Sequence, residues 1–343
     1  MTRQRQSAHH TISSSLRWLT ITLGALCAWQ AAAQGGPQGS HANWPTRSVR
    51  LIVSQAAGGA PDIVARLVSE RLSRNWNQQV IVDNRPGSGN VIGAQVAARA
   101  PADGYTLFFA TAAALVTNPY TFKSLPYDPA RDFAPIGMVA RAPFLVLAHP
   151  SVNAKSISEL VALEKSAPGK LTFATDGPRN FSGMAAAWLN KLGGINILQA
   201  PYAQMPQGVQ DTLAGRTQLV ILAVPAAAPH LKSGALRALA TTVPVRLPGY
   251  DNIPTVAETY PGFDVAGWFV FAAPSGTPPE IIRSINRDLD AVLRQSDIVE
   301  RLRQVGMYPY PNAADTPEAT AAFIRKDLET WGRVIRELNI QPE

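Results

Sequence analysis

Leu51-Ile52-Val53-Ser54-Gln55-Ala56-Ala57-Gly58-Gly59-Ala60-Pro61-Asp62 is the stretch whose reading decides the fold. An apolar run breaks into a glycine-containing loop and then into an amphipathic segment, which reads as strand, tight turn and helix start. Gly58 and Gly59 let the backbone turn sharply, and Pro61 suits a first helical turn, where its missing N–H costs nothing. Free N–H groups and the positive end of a helix dipole then face whatever lies over the loop, a place that favours an anion, phosphate and carboxylate alike. Gln55, Ala57, Gly58, Gly59, Ala60 and Asp62 are the candidate binding residues here, with Asp62 also suited to stabilising its own helix start.

The same alternation continues along the chain. Short apolar runs at 49–53, 79–83, 106–110, 144–148, 171–174, 218–223, 236–241 and 269–272 predict strands. Segments of helical period at 62–75, 90–98, 156–166, 182–192, 207–214, 279–294 and 317–338 predict helices. Strands alternating with helices imply an α/β protein with mainly parallel sheets. Two proline-rich stretches, 118–135 and 244–263, each precede an apolar segment suited to crossing between lobes, near 137–147 and 264–274. This organisation places residues 44–140 in the first part of lobe 1, 141–264 in lobe 2, and 265–343 in a crossing segment and carboxy-terminal helices that complete lobe 1. Ligands in open α/β sheets sit beyond the carboxyl ends of the strands, so two facing sheets share one cleft.

The amino terminus has a different character. Arg3, Arg5 and Arg17 stand without an acid among them, followed by an apolar run from Trp18 to Trp29 and then Ala31-Ala32-Ala33. That is the layout of a secretory signal peptide over 1–33, cleaved after Ala33, with a Gly/Gln/Ser-rich flexible leader over 34–43. The only cysteine, Cys27, lies inside the apolar run, and Leu26 before it is too large for a good lipoprotein site. The expected mature chain therefore has no disulfide and no thiolate chemistry. Its 28 basic and 24 acidic residues leave a scattered surplus of +4, with no basic run of the kind that follows nucleic acid.

Two further loops repeat the logic of the first: Thr111-Ala112 after one strand, and Thr175-Asp176-Gly177-Pro178-Arg179-Asn180-Phe181-Ser182 after another. From them Thr111, Ala112, Asp176, Gly177, Arg179, Asn180 and Ser182 join the candidates. Tyr202 and Gln204 offer an aromatic face and an amide before another helix, and Trp268 sits at the edge of a crossing segment, as packing or as pocket. Arg179 either clamps a carboxylate through two parallel hydrogen bonds or pairs with Asp176. No catalytic machinery is evident. The run Gly87-Ser88-Gly89-Asn90 lacks dinucleotide spacing, no Walker lysine exists, the histidines show no metal spacing, and no Gly-x-Ser-x-Gly elbow occurs. Neither cofactor nor metal is expected.

Several motifs together resemble the Bug-type (TctC-like) solute receptors of the tripartite tricarboxylate transporter family. They are Leu51-Ile52-Val53 with Ala57-Gly58-Gly59 and Asp62; Asp83-Asn84-Arg85-Pro86-Gly87 with Asn90 and Gly93; Asp103-Gly104-Tyr105-Thr106-Leu107; Leu125-Pro126-Tyr127-Asp128-Pro129 with Asp132-Phe133; Pro201-Tyr202; Pro229-His230-Leu231-Lys232; Ile253-Pro254-Thr255-Val256; and Trp331-Gly332. The resemblance implies a two-lobed periplasmic binding protein of type II-like architecture, a monomer that closes on a small carboxylate without catalysis and delivers it to membrane permease subunits. It also implies that one carboxylate is held by backbone amides and waters of the loop at Ala57 to Asp62, with the loop at Thr175 to Ser182 completing the pocket. Departures are informative. Gln55 stands where the family usually has an aromatic residue, Pro61 replaces a small hydroxyl residue, Gly183 and Ala187 stand where the family has His and Glu, Leu222 where it has Asp, and Ala203 where it often has Lys. Lost polar groups alongside Arg179 point to an aromatic carboxylate or dicarboxylate. A sensor that passes occupancy to a kinase, and a hydrolase using a Ser/His pair, remain as alternative expectations.

Overall fold

Gly59, Pro61 and the left-handed Asn77 (φ 49°) bracket the first long helix, as the sequence pattern requires of a helix that starts on a glycine loop and stops at an αL cap. It is α1, Ala60–Trp76, and it follows strand β1, Val49–Val53, whose five residues are almost wholly buried. The computed structural model describes residues 44–310, 312 and 314–342. The expected signal peptide over 1–33, its cleavage at Ala33 and the leader over 34–43 lie outside the described residues.

After α1 the chain forms β2 (Val80–Asn84), a 3-10 turn at Ser88–Asn90, α2 (Val91–Ala98) and β3 (Thr106–Thr111). A π-helical segment, Ala113–Thr117, runs directly into the short α3, Asn118–Thr121. Strand β4, Phe133–Ala148, is 16 residues long against 9 for β9 and 5 for β7, and pairs along its length with different partners in succession. Residues 133–143 pair antiparallel with β9 (Ala266–Pro274), and residues 144–148 pair antiparallel with β7 (Leu219–Ala223) and β8 (Arg237–Thr241). Helix α4 (Ile157–Ser166), β5 (Thr172–Thr175), α5 (Phe181–Gly193), β6 (Leu198–Pro201), α6 (Met205–Leu213) and α7 (Val224–Lys232) make up the rest of the middle of the chain. Helices α8 (Pro279–Leu293) and α9 (Ser296–Gln304), the short β10 (Tyr308–Pro309) and α10 (Pro317–Glu337) close it.

The sheet order is β2-β1-β3-β9-β4-β7-β5-β6, with β8 and β10 also on β4. Both wings are parallel, β2-β1-β3 on one side and β7-β5-β6 on the other, as the alternation of strand and helix predicts, while β4 and β9 run antiparallel between them. The wing containing β1 is packed by Leu51, Ile52, Phe108 and Phe109, and the wing containing β5 by Phe173, Leu219 and Leu189, all fully buried.

Sequence pattern predicts only residues 144–148 of β4, because Pro135, Gly137 and Pro143 read as breakers. The strand accommodates them through register shifts against β9 at Pro135/Gly137 and Met138/Ala140. Strand β6 and helices α7 and α9 were not predicted either. Helix α7 carries Pro225 in its first turn and Pro229 inside, which hides its period.

Candidate functional site

A cavity of about 330 Å³ opens where the two wings face each other. One wall is made by Ser88, Gly89 and Asn90 of the 3-10 turn and by Ala113, Thr117, Asn118, Thr121 and Phe122 of the segment after β3; the opposite wall is Arg179, Asn180, Phe181 and Met184 at the start of α5. Arg179 is the one charged residue of this lining, and no carboxylate joins it.

The first wall is set by local backbone demands. Ser88 (φ 46°) and Asn90 (φ 77°) both occupy the left-handed region, which asparagine tolerates better than most residues. Side-chain amides hold this turn in place: Ser54 Oγ and Gln55 Nε2 donate to Asn90 Oδ1 at 3.1 and 2.8 Å, and Asn118 Nδ2 donates to the Gly89 carbonyl at 2.8 Å. Gly93 brings α2 against β1, since a Cβ there would stand 2.7 Å from Ser54 Cβ. Tyr127 donates its hydroxyl to the Ala114 carbonyl at 2.8 Å and so pins the π segment from behind; burial pushes its phenol up to about 12.

The second wall depends on Asp176. Its carboxylate accepts from Ser182 Oγ, its own N–H donates to the same Oγ at 2.9 Å, and Asn180 Nδ2 donates to its carbonyl at 2.7 Å. Burial raises the Asp176 pKa above the usual carboxylate range, although Ser182 and the amide of Gly183 pull it down. Gly183 lets the loop lie directly on α5, because a Cβ there would stand 2.0 Å from the Gly177 carbonyl oxygen. Phe181 is fixed on its far side by Phe144 of β4 (centroids 6.1 Å apart) and edge-on by Trp331 of α10 (5.6 Å). The adjacent Gly332 faces Tyr120 of α3, whose hydroxyl would stand 2.5 Å from a Cβ. The Trp331-Gly332 pair therefore supports both walls of the cavity from the carboxy-terminal helix.

Of the predicted residues, Arg179 and Asn180 line the cavity, and Gln55 stands one hydrogen bond behind Asn90. The glycine loop does not enter the lining. Asp62, 2% exposed, accepts from the Gly58 N–H, Arg66 Nε and Asn84 Nδ2, each at 2.9 Å. Burial by itself would raise its pKa, but these three donors outweigh that and hold it below the ordinary carboxylate value. The loop's anion is thus partly supplied by the protein itself, while Ala57, Gly58 and Gly59 are exposed and Ala60 partly so. Gly177 and Ser182 shape the second loop without lining the cavity. Thr111 and Ala112 are buried beneath the π segment, with Thr111 Oγ1 accepting from the Ala114 N–H at 3.1 Å.

Three predicted residues are placed elsewhere. Tyr202 donates its hydroxyl to Asp211 at 2.8 Å and packs over Gly208 of α6. Gln204 is exposed at the start of the same helix. Trp268, 2% exposed, donates Nε1 to Asp327 at 2.7 Å and meets Phe323 edge-on, so it is core rather than pocket. Asn90, Asn118, Thr121, Phe122 and Phe181 were missed. Their signals in the sequence are the run Gly87-Ser88-Gly89-Asn90, which lacks dinucleotide spacing, and the place of Asn90 in the family-like motif.

With this geometry in view, the family model described as "Tripartite tricarboxylate transporter family receptor" matches residues 64–340. Protein BugT of Bordetella pertussis is 33% identical over 296 residues, 86% of this chain and 90% of that protein. Among solved structures, an R. palustris protein with adipate is 32% identical with a TM-score of 0.73, covering 88% of this chain and 100% of the other. MatC from Rhodopseudomonas palustris with bound malate is 28% identical with a TM-score of 0.68, covering 85% of this chain and 100% of the other.

Proposed function

The chain belongs to the tripartite tricarboxylate transporter receptor family, and from that premise we propose that it is a periplasmic solute-binding receptor that captures a small organic carboxylate in the cavity between its wings and passes it to membrane permease subunits without chemically altering it. The observation that carries this reading is the make-up of the cavity: one guanidinium, Arg179, on one wall, facing neutral amide and hydroxyl groups on the other. A guanidinium matches a carboxylate in geometry as well as in charge. The two relatives with adipate and malate support a carboxylate as the ligand class.

We further propose an aromatic carboxylate or a dicarboxylate of similar length. Phe122 from one wall and Phe181 from the other present ring surface to the cavity, while Asn90, Asn118, Thr117 and Thr121 offer hydrogen bonds at the end remote from Arg179. The lobe division at 44–140, 141–264 and 265–343 accords with the passage of β4 and β9 between the wings. Closure would be a hinge motion about these two strands, driven by the ligand's greater affinity for the closed form.

Calorimetric titration of the purified protein with adipate, malate, benzoate and phthalate tests the assignment. At least one binds stoichiometrically and is recovered unchanged. Arg179→Ala weakens that ligand by about 10–100-fold, the loss of one charge-assisted contact. Absence of binding across the panel, or an Arg179→Ala variant with undiminished affinity, overturns it.

A further inference from the structure

A second cavity, of about 380 Å³, lies away from the cleft and shares no lining residue with it. It is framed by β4, the loop after β8, α9 and β10. Its walls are apolar: Val243, Val245 and Leu247 from the loop and Val299 from α9. Its polar side chains are three arginines and the phenols of Tyr308 and Tyr310. Arg141 Nη2 donates to Asp264, and Arg246 donates to both Glu258 oxygens at 2.9 Å. Arg303 makes no side-chain hydrogen bond or ion pair among the described residues, and neither does the Tyr308 hydroxyl, although Tyr308 is only 8% exposed.

The Tyr308 hydroxyl reaches the cavity without a protein partner, and Arg141 Nε, also in this lining, is a buried donor left unsatisfied among the described residues, whereas buried polar groups normally have a partner. Burial also pushes the Tyr308 phenol up to about 12, so it remains a donor at neutral pH. A partner for this place must bring an acceptor with negative charge for Arg303 and Tyr308, and an apolar body for the valine and leucine wall. An inorganic anion lacks the second and a neutral hydrocarbon the first.

We propose that this groove is a second ligand site, for an amphipathic organic carboxylate whose head lies between Tyr308 and Arg303 and whose chain lies along Val243, Leu247 and Val299. The site does not depend on the cleft assignment. Its lining comes from the crossing strand β4, from the loop after β8 on one wing and from α9 and β10 on the other side, so an occupant touches both sides of the hinge strand.

The test is calorimetry of the purified protein with octanoate, with acetate and octylammonium as probes that lack the chain or reverse the charge. Octanoate is expected to bind saturably to the wild type and to Arg179→Ala alike, while acetate and octylammonium do not. Arg303→Gln should weaken octanoate on the order of tenfold and Tyr308→Phe several-fold, the range expected for a charge-assisted and a neutral hydrogen bond. Arg303 is exposed and Tyr308→Phe removes one oxygen, so both variants should fold, and unchanged thermal unfolding verifies it. Absence of saturable octanoate binding overturns the proposal. So does equal binding of octylammonium, or loss of octanoate binding in Arg179→Ala alone, which would locate the octanoate in the cleft and leave the cleft assignment standing.

Discussion

Replacing Gly183 by alanine sets helix propensity directly against packing. Gly183 lies inside α5, where alanine is ordinarily worth about 1 kcal/mol over glycine. The added methyl, however, would stand 2.0 Å from the Gly177 carbonyl oxygen, 2.6 Å from the carbonyl carbon and 3.0 Å from Pro178 Cα. Ordinary contact begins near 3.4 Å, so the loop must retreat by about 1.4 Å. The obstacle is backbone rather than the end of a flexible side chain, and the loop is tied to α5 by Asp176 and Ser182. Overpacking of this kind costs about 3 kcal/mol at the upper end of its usual range, which after the propensity gain leaves a net loss of about 2 kcal/mol. For a chain of this size that lowers Tm by roughly 4 °C. Urea unfolding followed by circular dichroism measures the free energy, and calorimetry with the best cleft carboxylate measures the effect on Arg179, which rides on the displaced loop. A Gly183→Ala variant as stable as the wild type, or more stable, would refute the close packing of this loop on α5.

Asp62→Asn removes the charge that holds Gly58, Arg66 and Asn84, and should cost about 2 kcal/mol at pH 7 in denaturant unfolding. Because the folded-state pKa of Asp62 is depressed, its contribution is complete above the ordinary value of 3.8 and fades as pH falls through the folded value; the Asn variant should lack that part of the acid-side slope. Asp327 behaves in the opposite sense. Burial, reinforced by Asp264, raises it to about 6 despite the donor Trp268 and the charge of Arg141. The native state therefore binds the extra proton between 3.8 and about 6, and stability declines as pH rises across that window. Asp327→Asn keeps an acceptor for Trp268 Nε1 and should stabilise the protein at pH 7 by about 1–3 kcal/mol while flattening that decline, as thermal unfolding across the pH range would show. Tyr127→Phe leaves the buried Ala114 carbonyl without its donor and should cost about 1–2 kcal/mol; an unchanged unfolding midpoint would remove Tyr127 as the anchor of the π segment.

What could be read in the sequence was whatever local periodicity records. The strands of both wings other than β6 and most of the long helices follow from it, and so does the passage of two apolar segments between the wings. Periodicity failed at β4, where bulges absorb Pro135, Gly137 and Pro143, and at α7, where proline lies inside a helix held by its neighbours. Arg179 could be singled out because a charged residue in a polar loop at a strand end has few structural uses. Asn90 could not, because its place comes from a left-handed backbone and from the amides of Gln55, just after β1, and Asn118 of α3, which only the fold brings to this turn. The glycine loop shows a related effect: the chemistry inferred for it is present, and its Gly58 N–H is already met by Asp62, four residues along the same chain.

That substitution of an internal carboxylate for an external one alters how the cleft must work. Both loops expected to offer bare helix ends are tied by their own acids, Asp62 in the first wing and Asp176 in the second. The helix dipoles are partly compensated before a ligand arrives, so the one charged side chain of the cavity lining is Arg179. The wall opposite is an amide lattice in which Gln55 fixes Asn90 and Asn118 fixes Gly89, rigid and neutral. On the proposed function, a carboxylate drawn by Arg179 would gain contacts with that lattice only when the wings approach each other. Attraction and closure therefore reside on opposite walls. A preorganised neutral wall loses little entropy on closing, and excluding water strengthens its hydrogen bonds to the ligand. On that proposal, charge on the second wing governs which molecules enter, and amide geometry on the first governs which of them allow the cleft to close.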